Sequence, residues 1–418
     1  MDRIKSLHVS TTQGYAGALH KNSRHLFAYD ASALIPPKPE LAISLTMPLR
    51  PEPWATTPLL PAFQTFLPEG FLRDRIRQMF GKTMRVDDMA LLALSGGNAI
   101  GRIRVATARD APAAQGAVES LAEILADNGT RDLFGYLCDK YLISTSIAGV
   151  QPKVVVPVEA STPRLDDEPG IGEQSTLRVR QLIVKTDGPD YPGLSENEYH
   201  CLSIAALCGG LLEVPPFSLS QDRRRLAIDR FDLDGEGRYL GFEDMVSLQG
   251  KVNDDKYRGS YEQVAATIRD NCSPRTLQSS LERFFAAVVL SVVLRNGDAH
   301  LKNFGLLYTH PETDDCRLSP VFDQVCTTVY IPKDVMALSM AKSRSWPERK
   351  TLEWFGSAHC DVGKPGAILD RVIGAADQYR PSAEGPAWAR VKEVVDASVR
   401  YLAMPEGSTP KRSHARRK

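Results

Sequence analysis

A long apolar helix pattern that ends in a polar segment is the feature that most constrains this chain. Between Ser273 and Arg295, large apolar residues recur at intervals of three and four, which predicts a helix with a deeply buried face. They are Leu277, Leu281, Phe284, Phe285, Val288, Val289 and Val292. Ser273 followed by Pro274 is typical of a helix start. We expect the helix to end near Arg295, where Gly297 releases the backbone into a loop.

The polar loop after this helix contains the residue types that phosphoryl transfer requires. Asn303 follows Asp298 by five residues, and Asp323 lies beyond a short connection. An aspartate can accept or orient the proton of an attacking hydroxyl, while an asparagine and a second aspartate can bind the magnesium that bridges ATP phosphates. Segments 304–308 and 316–318 predict a hairpin that would return Asp323 beside Asn303. The alternative is a polar turn that only caps the helix.

Three upstream segments supply candidate nucleotide contacts. Lys185 ends the apolar strand 181–185, where it either reaches solvent or binds phosphates with Glu198 orienting it. Segment 144–153 has small residues and a lysine, which suit a phosphate-binding loop but also an ordinary turn. Segment 229–231 follows a strand, where an interlobe hinge would present backbone groups to adenine. A surface strand end with an Asp–Arg pair fits that segment equally well.

The composition is that of an ordinary globular protein. Lysine plus arginine and aspartate plus glutamate each total 51, so net charge draws the chain to neither nucleic acid nor membrane. The apolar run 284–294 is shorter than the roughly 18 residues that span a bilayer. The N-terminus shows no export signal, and the seven cysteines form no CxxC pair. We therefore expect a cytosolic protein with reduced thiols and no membrane partner.

Shorter patterns divide the chain into regions and predict their elements. The expected regions are an N-terminal subdomain at 1–135, a strand-rich lobe at 136–250, a helical lobe at 251–405 and a basic, disordered tail at 406–418. Further strands are expected at 26–29, 41–45, 100–105, 154–156 and 226–228. Further helices are expected at 66–80, 86–94, 117–127 and 195–207, the last with Ser195 as its cap.

Taken together and in order, these motifs resemble the HipA family of bacterial serine/threonine kinase toxins. Between about 140 and 325 the resemblance is carried by STSIAGVQPK, IVK, SENEYHCLSIAAL, LAIDRFD, NGDAHLKNFGLLY and LSPVFD. LPEGFLRDRI, at 67–76, and LSGGNAIGRIRV, at 94–105, are similar to the N-terminal subdomain of full-length members. The resemblance implies an α+β, two-lobed protein-kinase-like fold. It would have a strand-rich N-terminal lobe, an extra N-terminal subdomain and an all-helical C-terminal lobe.

The resemblance also implies a role for individual residues. Asp298 would be the catalytic base, Lys185 would contact phosphates, and Asn303 and Asp323 would hold Mg²⁺. The implied ATP contacts are Ala148, Gly149, Val150, Gln151, Pro152 and Lys153 in the phosphate loop, Asp229, Arg230 and Phe231 at the hinge, and His300, Leu301, Lys302 and Phe322 beside the catalytic residues. Ser146, with Ser144 as a second site, would be autophosphorylated. A phosphate there should clash with ATP phosphates and switch the kinase off.

A toxin–antitoxin setting follows from the same resemblance. The expected partner is a small helix-turn-helix antitoxin that binds operator DNA, so this chain would contact DNA only indirectly. Known substrates of the family include aminoacyl-tRNA synthetases. Gln324 departs from conventional kinases, which have Phe-Gly after the metal-binding aspartate. Two other functions stay open: a small-molecule phosphotransferase, and a catalytically silent co-repressor subunit that acts through its antitoxin.

Overall fold

The computed structural model describes residues 3–109, 118–128, 132–141, 151–159 and 179–403. Within these residues, the N-terminal subdomain is an antiparallel sheet covered by helices. Its strands lie in the order β4-β3-β2-β1-β5 and are β1 (Ser6–Thr11), β2 (Gly14–Lys21), β3 (His25–Tyr29), β4 (Trp54–Thr56) and β5 (Arg104–Ala106). Its helices are α1 (Ala31–Leu34), α2 (Pro61–Gln64), α3 (Gly70–Phe80) and α4 (Asp88–Ser95). The predicted strand at 26–29 and helices at 66–80 and 86–94 are confirmed, whereas the strand expected at 100–105 pairs only from Arg104.

The strand predicted at 41–45 is wrong, because side chains take the backbone groups that a neighbouring strand would need. The buried Arg102 guanidinium donates to the carbonyl oxygens of Glu40, at 2.7 Å, and of Ala42. The Tyr29 hydroxyl accepts from the backbone N–H of Ile43 at 3.1 Å. The Glu243 carboxylate accepts from the backbone N–H of Leu45 at 2.7 Å. The segment therefore runs from the end of a 3-10 helix at Leu41 to a turn at Leu45, mostly buried and outside any sheet.

The second region is a four-stranded antiparallel sheet with helices on it. The strands lie in the order β6-β7-β9-β8 and are β6 (Lys153–Glu159), β7 (Val179–Thr186), β8 (Phe217–Leu219) and β9 (Arg225–Asp229). The helices are α5 (Leu121–Ala126), α6 (Leu133–Tyr141) and α7 (Leu194–Leu207). The strands predicted at 154–156, 181–185 and 226–228 are confirmed. The helix expected at 117–127 is confirmed in a shorter form.

The predicted cap of α7 is wrong. Gly193 caps the helix in a left-handed conformation, with φ of 76°, and Ser195 lies inside the first turn. The carboxylate of Asp187 accepts from the backbone N–H groups of Gly193 at 2.8 Å and Ser195 at 2.7 Å. A carboxylate from outside the helix thus satisfies the groups that a capping serine would have served.

The C-terminal lobe is mainly helical. Its helices are α8 (Met245–Leu248), α9 (Tyr261–Asn271), α10 (Pro274–Val293), α11 (Arg349–His359), α12 (Pro365–Gln378) and α13 (Pro386–Ala403). Strands β10 (Gly241–Asp244), β11 (Gly305–Tyr308) and β12 (Arg317–Leu318) form a small antiparallel sheet in that order. The hairpin predicted at 304–308 and 316–318 is therefore confirmed, and the lobe is helical apart from this sheet.

Helix α10 is the central helix of this lobe. It starts after Ser273 with Pro274 in its first turn, as the sequence predicts. In the described part of the chain it is long and apolar enough to cross a membrane by length and composition. Its apolar residues are instead buried against α9, α11, α12 and α13, so the core of the lobe accounts for them. Leu294 ends the helix, and Arg295 turns the chain with φ of 53°.

Candidate active site

The loop after α10 is shaped so that Asp298 faces outward. At Gly297 a Cβ would lie 2.1 Å from the Asp334 carboxylate, so only glycine fits there. The Asn296 side chain accepts from the backbone N–H of Asp298 at 3.1 Å. The Asp298 carboxylate is partly exposed and accepts a 2.6 Å hydrogen bond from the Tyr257 hydroxyl. The predicted base is thus within reach of an incoming hydroxyl group.

Two neighbouring strands bring a pair of lysines to one acidic cluster. Lys153 on β6 lies directly opposite Lys185 on β7, and both are buried. The Lys185 ammonium donates to Glu198 on α7 at 2.6 Å and also to Asp323. The Lys153 ammonium lies 3.6 Å from the other oxygen of Asp323. The structure therefore brings together Lys185, Glu198 and Asp323 and adds Lys153 to the set.

Burial and neighbouring charges shift the pKa values of this cluster in opposite directions. Burial raises the pKa of Asp323, but the ammonium groups of Lys153 and Lys185 outweigh it, so the pKa lies well below its usual range. Burial lowers the pKa of Lys185, but Asp323 and Glu198 outweigh it and raise the pKa. Asp323 is consequently a carboxylate and Lys185 an ammonium at neutral pH. These are the protonation states needed to bind a cation and a phosphate, respectively.

The residues present fit a magnesium ion. The buried Oδ1 atom of Asn303 has no hydrogen-bond partner among the residues that the structure describes. Asp323 has φ of 51°, a left-handed conformation that aspartate tolerates better than most residues, and its side chain is 29% exposed. Mg²⁺ commonly takes one or two protein oxygen ligands and completes its shell with phosphates and water. Asn303 and Asp323 are therefore a suitable donor pair, with Asp323 already charged.

His300 lies in the same loop and is neutral. Burial lowers its pKa to about 4, against a weaker opposing effect of Asp298. Its Nδ1 atom has no partner within the described part of the chain. Its ring packs edge-on against Tyr257, with centroids 5.1 Å apart. Leu301, next along the chain, is fully buried in the core of the lobe.

The hinge segment is held by contacts within the protein. The Asp229 carboxylate binds Arg180, and the buried Arg230 guanidinium binds Asp232 and the carbonyl oxygen of Ala99. The backbone N–H groups of Asp229 and Arg230 donate to Pro216 and Gln181. The Phe231 ring stacks on Phe322 at an interplanar angle of 13°. This aromatic pair is the part of the segment that is suited to contact a flat ring system.

Only part of the predicted phosphate loop lies within the described residues. Ser144, Ser146, Ala148, Gly149 and Val150 lie outside the described residues. Gln151 donates from its side chain to the carbonyl oxygen of Thr186 at 3.3 Å, and the carbonyl oxygen of Pro152 accepts from the backbone of Thr186. Lys153 opens β6, with its ammonium beside Asp323. Three of the six predicted residues thus sit against the end of β7.

Sequence reasoning missed several residues that contact this loop, among them Glu69, Asn253 and Tyr257. Lys302 does not face Asp323. Its ammonium binds Glu69 of the N-terminal subdomain at 2.6 Å and Asn253 at 2.9 Å. Glu69 also binds Lys256 at 3.2 Å, and Tyr257 binds Asp298. Glu69 lies within LPEGFLRDRI, a motif that the resemblance singled out without giving its glutamate a role.

The fold and this site define a class: a two-lobed, kinase-like α+β protein with an added N-terminal subdomain. Comparison with protein families narrows this. The HipA-like C-terminal domain matches residues 145–381, and the HipA N-terminal domain matches residues 7–106. Since the first match alone spans more than half of the chain, this chain belongs to the HipA family.

Individual relatives agree with this assignment. Two from Sinorhizobium fredii are named putative kinases. Y4mE is 27% identical over 78% of each chain, and Y4dM is 30% identical over 39% of this chain and 41% of its own length. The chain thus matches less than half of Y4dM. A solved chain of the Shewanella oneidensis HipA, HipB and operator DNA complex has a TM-score of 0.66 at 17% identity, covering 95% of this chain and 97% of that one. That likeness shows the same fold.

Proposed function

We propose that this protein is an ATP- and Mg²⁺-dependent serine/threonine protein kinase. The observation that carries the proposal is the Asp323 cluster, in which two buried lysines contact one carboxylate. A second observation is the buried Oδ1 atom of Asn303, which has no partner among the described residues. Asp298, on the loop that leads to Asn303, supplies a partly exposed carboxylate. Relatives named putative kinases support the same conclusion.

In the proposed reaction each residue has a distinct task. Mg²⁺-ATP, when bound, would supply the phosphoryl group and neutralise its developing charge. Asn303 and Asp323 would hold the metal, and Lys185, kept in place by Glu198, would bind phosphate oxygens. The adenine would lie against the stacked rings of Phe231 and Phe322. Asp298 would accept the proton of the acceptor hydroxyl as that oxygen bonds to phosphorus and ADP leaves.

We further propose that the kinase is the toxin of a toxin–antitoxin pair. Family membership supports this, as does the structural likeness to a HipA that was solved with HipB and operator DNA. The proposed partner is a helix-turn-helix antitoxin, and the proposed target is a translation enzyme such as an aminoacyl-tRNA synthetase. Phosphorylation of Ser146 or Ser144 would switch the enzyme off. All seven cysteines are buried free thiols, which fits action in the cytosol.

Labelled ATP tests the kinase proposal. We expect the wild-type protein with Mg²⁺ to label itself or proteins of a phosphatase-treated bacterial lysate, and Asp298→Asn to reduce the rate by about 100- to 10,000-fold. Asp314→Asn, which changes an exposed aspartate of the same lobe, is the matched control and should label normally. Chelation of Mg²⁺ should abolish labelling. Equal labelling by wild type and Asp298→Asn contradicts the proposal, and label confined to small molecules indicates a small-molecule phosphotransferase.

A further inference from the structure

A cleft between the N-terminal subdomain and the C-terminal lobe is lined by Tyr257, the residue that contacts Asp298. One wall consists of residues 67–70, Arg73 and Leu91, and the other includes Asn253, Lys256 and Tyr257. The cleft encloses about 370 Å³. That volume is at the lower end of the range for ligand sites in proteins. The nucleotide contacts proposed above do not line it, so its role is separate from theirs.

One residue that lines this cleft, Tyr257, already presents a hydroxyl group to the predicted base. The Tyr257 hydroxyl donates a hydrogen bond to Asp298 at 2.6 Å, and the residue is 38% exposed. Burial raises the pKa of Tyr257, and the Asp298 carboxylate raises it further, so the phenol keeps its proton at neutral pH. A serine or threonine hydroxyl would have to make the same bond with Asp298 before reaction. Tyr257 and the acceptor hydroxyl therefore compete for one carboxylate.

Glu69 links both walls of the cleft to the loop after α10 that carries Asp298 and Asn303, which we call the catalytic loop. Its carboxylate lies between the ammonium groups of Lys302, at 2.6 Å, and Lys256, at 3.2 Å. Lys302 immediately precedes Asn303, and Lys256 immediately precedes Tyr257. The Glu69 carboxylate therefore holds two segments in place. One carries Asn303, a proposed metal ligand, and the other carries Tyr257, which donates to Asp298.

The walls suit a polypeptide segment. Leu67, Pro68 and Leu91 are largely buried and form an apolar lining of the cleft. Arg73 has a buried Nε–H without a hydrogen-bond partner among the described residues. That donor suits a backbone carbonyl or carboxylate of an extended chain. We propose that this cleft binds the protein segment that carries the acceptor hydroxyl, that Tyr257 occupies Asp298 until that hydroxyl replaces it, and that Glu69 is a positioning residue for the catalytic loop. The inference rests on the proposed kinase function.

Tyr257→Phe tests the competition. The acceptor is phosphatase-treated bacterial lysate at increasing protein concentration, with labelled ATP. Because the change removes only the hydroxyl that holds Asp298, we expect the apparent KM for lysate protein to fall by about three- to tenfold, with kcat kept. Tyr191→Phe, at a tyrosine that is also 38% exposed, is the matched control and should change neither value. An unchanged or higher KM in Tyr257→Phe overturns the acceptor-site assignment.

Glu69→Gln tests the positioning role. We expect kcat to fall by about ten- to one-hundredfold, because small misplacement of reacting groups is costly, while the Kd for a fluorescent ATP analogue stays unchanged. Glu69→Asp keeps the charge and should recover part of kcat, which also covers the case in which Glu69→Gln folds poorly. Asp139→Asn breaks the exposed ion pair to Arg75 on α3 and should have no effect. An unchanged kcat in Glu69→Gln overturns the positioning role. The role is also overturned if Glu69→Gln and Glu69→Asp lose kcat equally and both also lose affinity for the ATP analogue.

Failure of the two proposals gives different results. If wild-type protein shows no Asp298-dependent labelling of any protein, the kinase function fails and the acceptor site fails with it. If Asp298-dependent labelling is present and the Tyr257 and Glu69 variants match the wild type, the kinase function stands and only the acceptor site is overturned.

Discussion

At the scale of single residues, the same arrangement occurs twice around the catalytic loop: one carboxylate between two lysines. Asp323 lies between Lys153 and Lys185, and Glu69 lies between Lys256 and Lys302. In both, burial alone would favour the neutral acid, and the paired ammonium groups reverse that effect. A buried carboxylate that loses such partners is strongly destabilised, so each lysine pair holds its carboxylate charged and in place.

Glu69 should make stability depend on pH in acid. Its pKa is about 2 in the folded protein against an ordinary value of 4.5, because Lys302 and Lys256 outweigh the effect of burial. A lowered carboxyl pKa stabilises the folded state fully above the unfolded value, and that stabilisation is lost as pH falls through the folded value. We expect Glu69→Gln to lower the free energy of unfolding at neutral pH by about 3 kcal/mol. The difference from wild type should shrink as the pH falls from about 4.5 towards 2.

Urea unfolding, followed by tryptophan fluorescence at several pH values, measures this difference. Asp139→Asn, which breaks an exposed ion pair between α6 and Arg75 of the N-terminal subdomain, should lower the free energy of unfolding by less than about 1 kcal/mol. A difference between wild type and Glu69→Gln that stays constant over the acid range would show that the charge of Glu69 does not stabilise the fold.

Residue-level prediction from the sequence worked where a phosphoryl-transfer motif marks each partner. The spacing of Asp298, Asn303 and Asp323 identified one loop and one hairpin, and the structure places Asp323 on Lys185. Glu69 escaped notice because its partner Lys302 is 233 positions away. No local pattern distinguishes that glutamate from an ordinary surface residue, since its role depends on how two subdomains pack.

At the scale of elements, periodic patterns and most short apolar runs gave correct predictions, and segment 41–45 is the clear exception. Helix α10 forms where its apolar periodicity predicts a helix, because the C-terminal lobe packs against its apolar residues. Segment 41–45 is just as apolar, yet its backbone groups bind Arg102, Tyr29 and Glu243 instead of a strand. Ser273 does start α10, but its hydroxyl accepts from the backbone of Cys316 at 3.0 Å and so links the helix to β12. A pattern predicts an element, whereas its partners depend on tertiary structure.

Shortening one core side chain of α10 should destabilise the whole lobe. Leu290 is fully buried in the last turns of the helix, just before the catalytic loop. We expect Leu290→Ala to lower the free energy of unfolding by about 2–5 kcal/mol, because it removes apolar contact and leaves a cavity. Chemical denaturation measures the change. Leu207→Ala, at a leucine that is 53% exposed at the end of α7, should cost far less, and equal effects would contradict the central role of α10.

At the scale of the whole molecule, buried polar contacts join the N-terminal subdomain to the kinase lobes. Glu243 on β10 accepts from Ser44 at 2.6 Å and from the backbone of Leu45 at 2.7 Å. Asp232 accepts from the backbone of Gly101 at 2.6 Å. These carboxylates and Glu69 bind polar groups across the contact between subdomains. Those groups would lose their partners if the subdomains separated. The N-terminal subdomain is thus built into the kinase, so the proposed acceptor cleft has a fixed shape.

Unfolding should therefore be a single cooperative transition in the wild-type protein and should split when Glu243 is removed. Glu243→Ala would leave the Ser44 hydroxyl, the Leu45 N–H and the Tyr308 hydroxyl without their buried acceptor. Each unsatisfied group costs about 1–3 kcal/mol, which is enough to loosen the contact between subdomains before the lobes unfold. Differential scanning calorimetry should then show an added transition at lower temperature, and limited proteolysis should assign it to residues 3–109. Glu312→Ala, at an exposed glutamate, should keep one transition. One unshifted transition in Glu243→Ala would mean that other contacts hold the subdomains together.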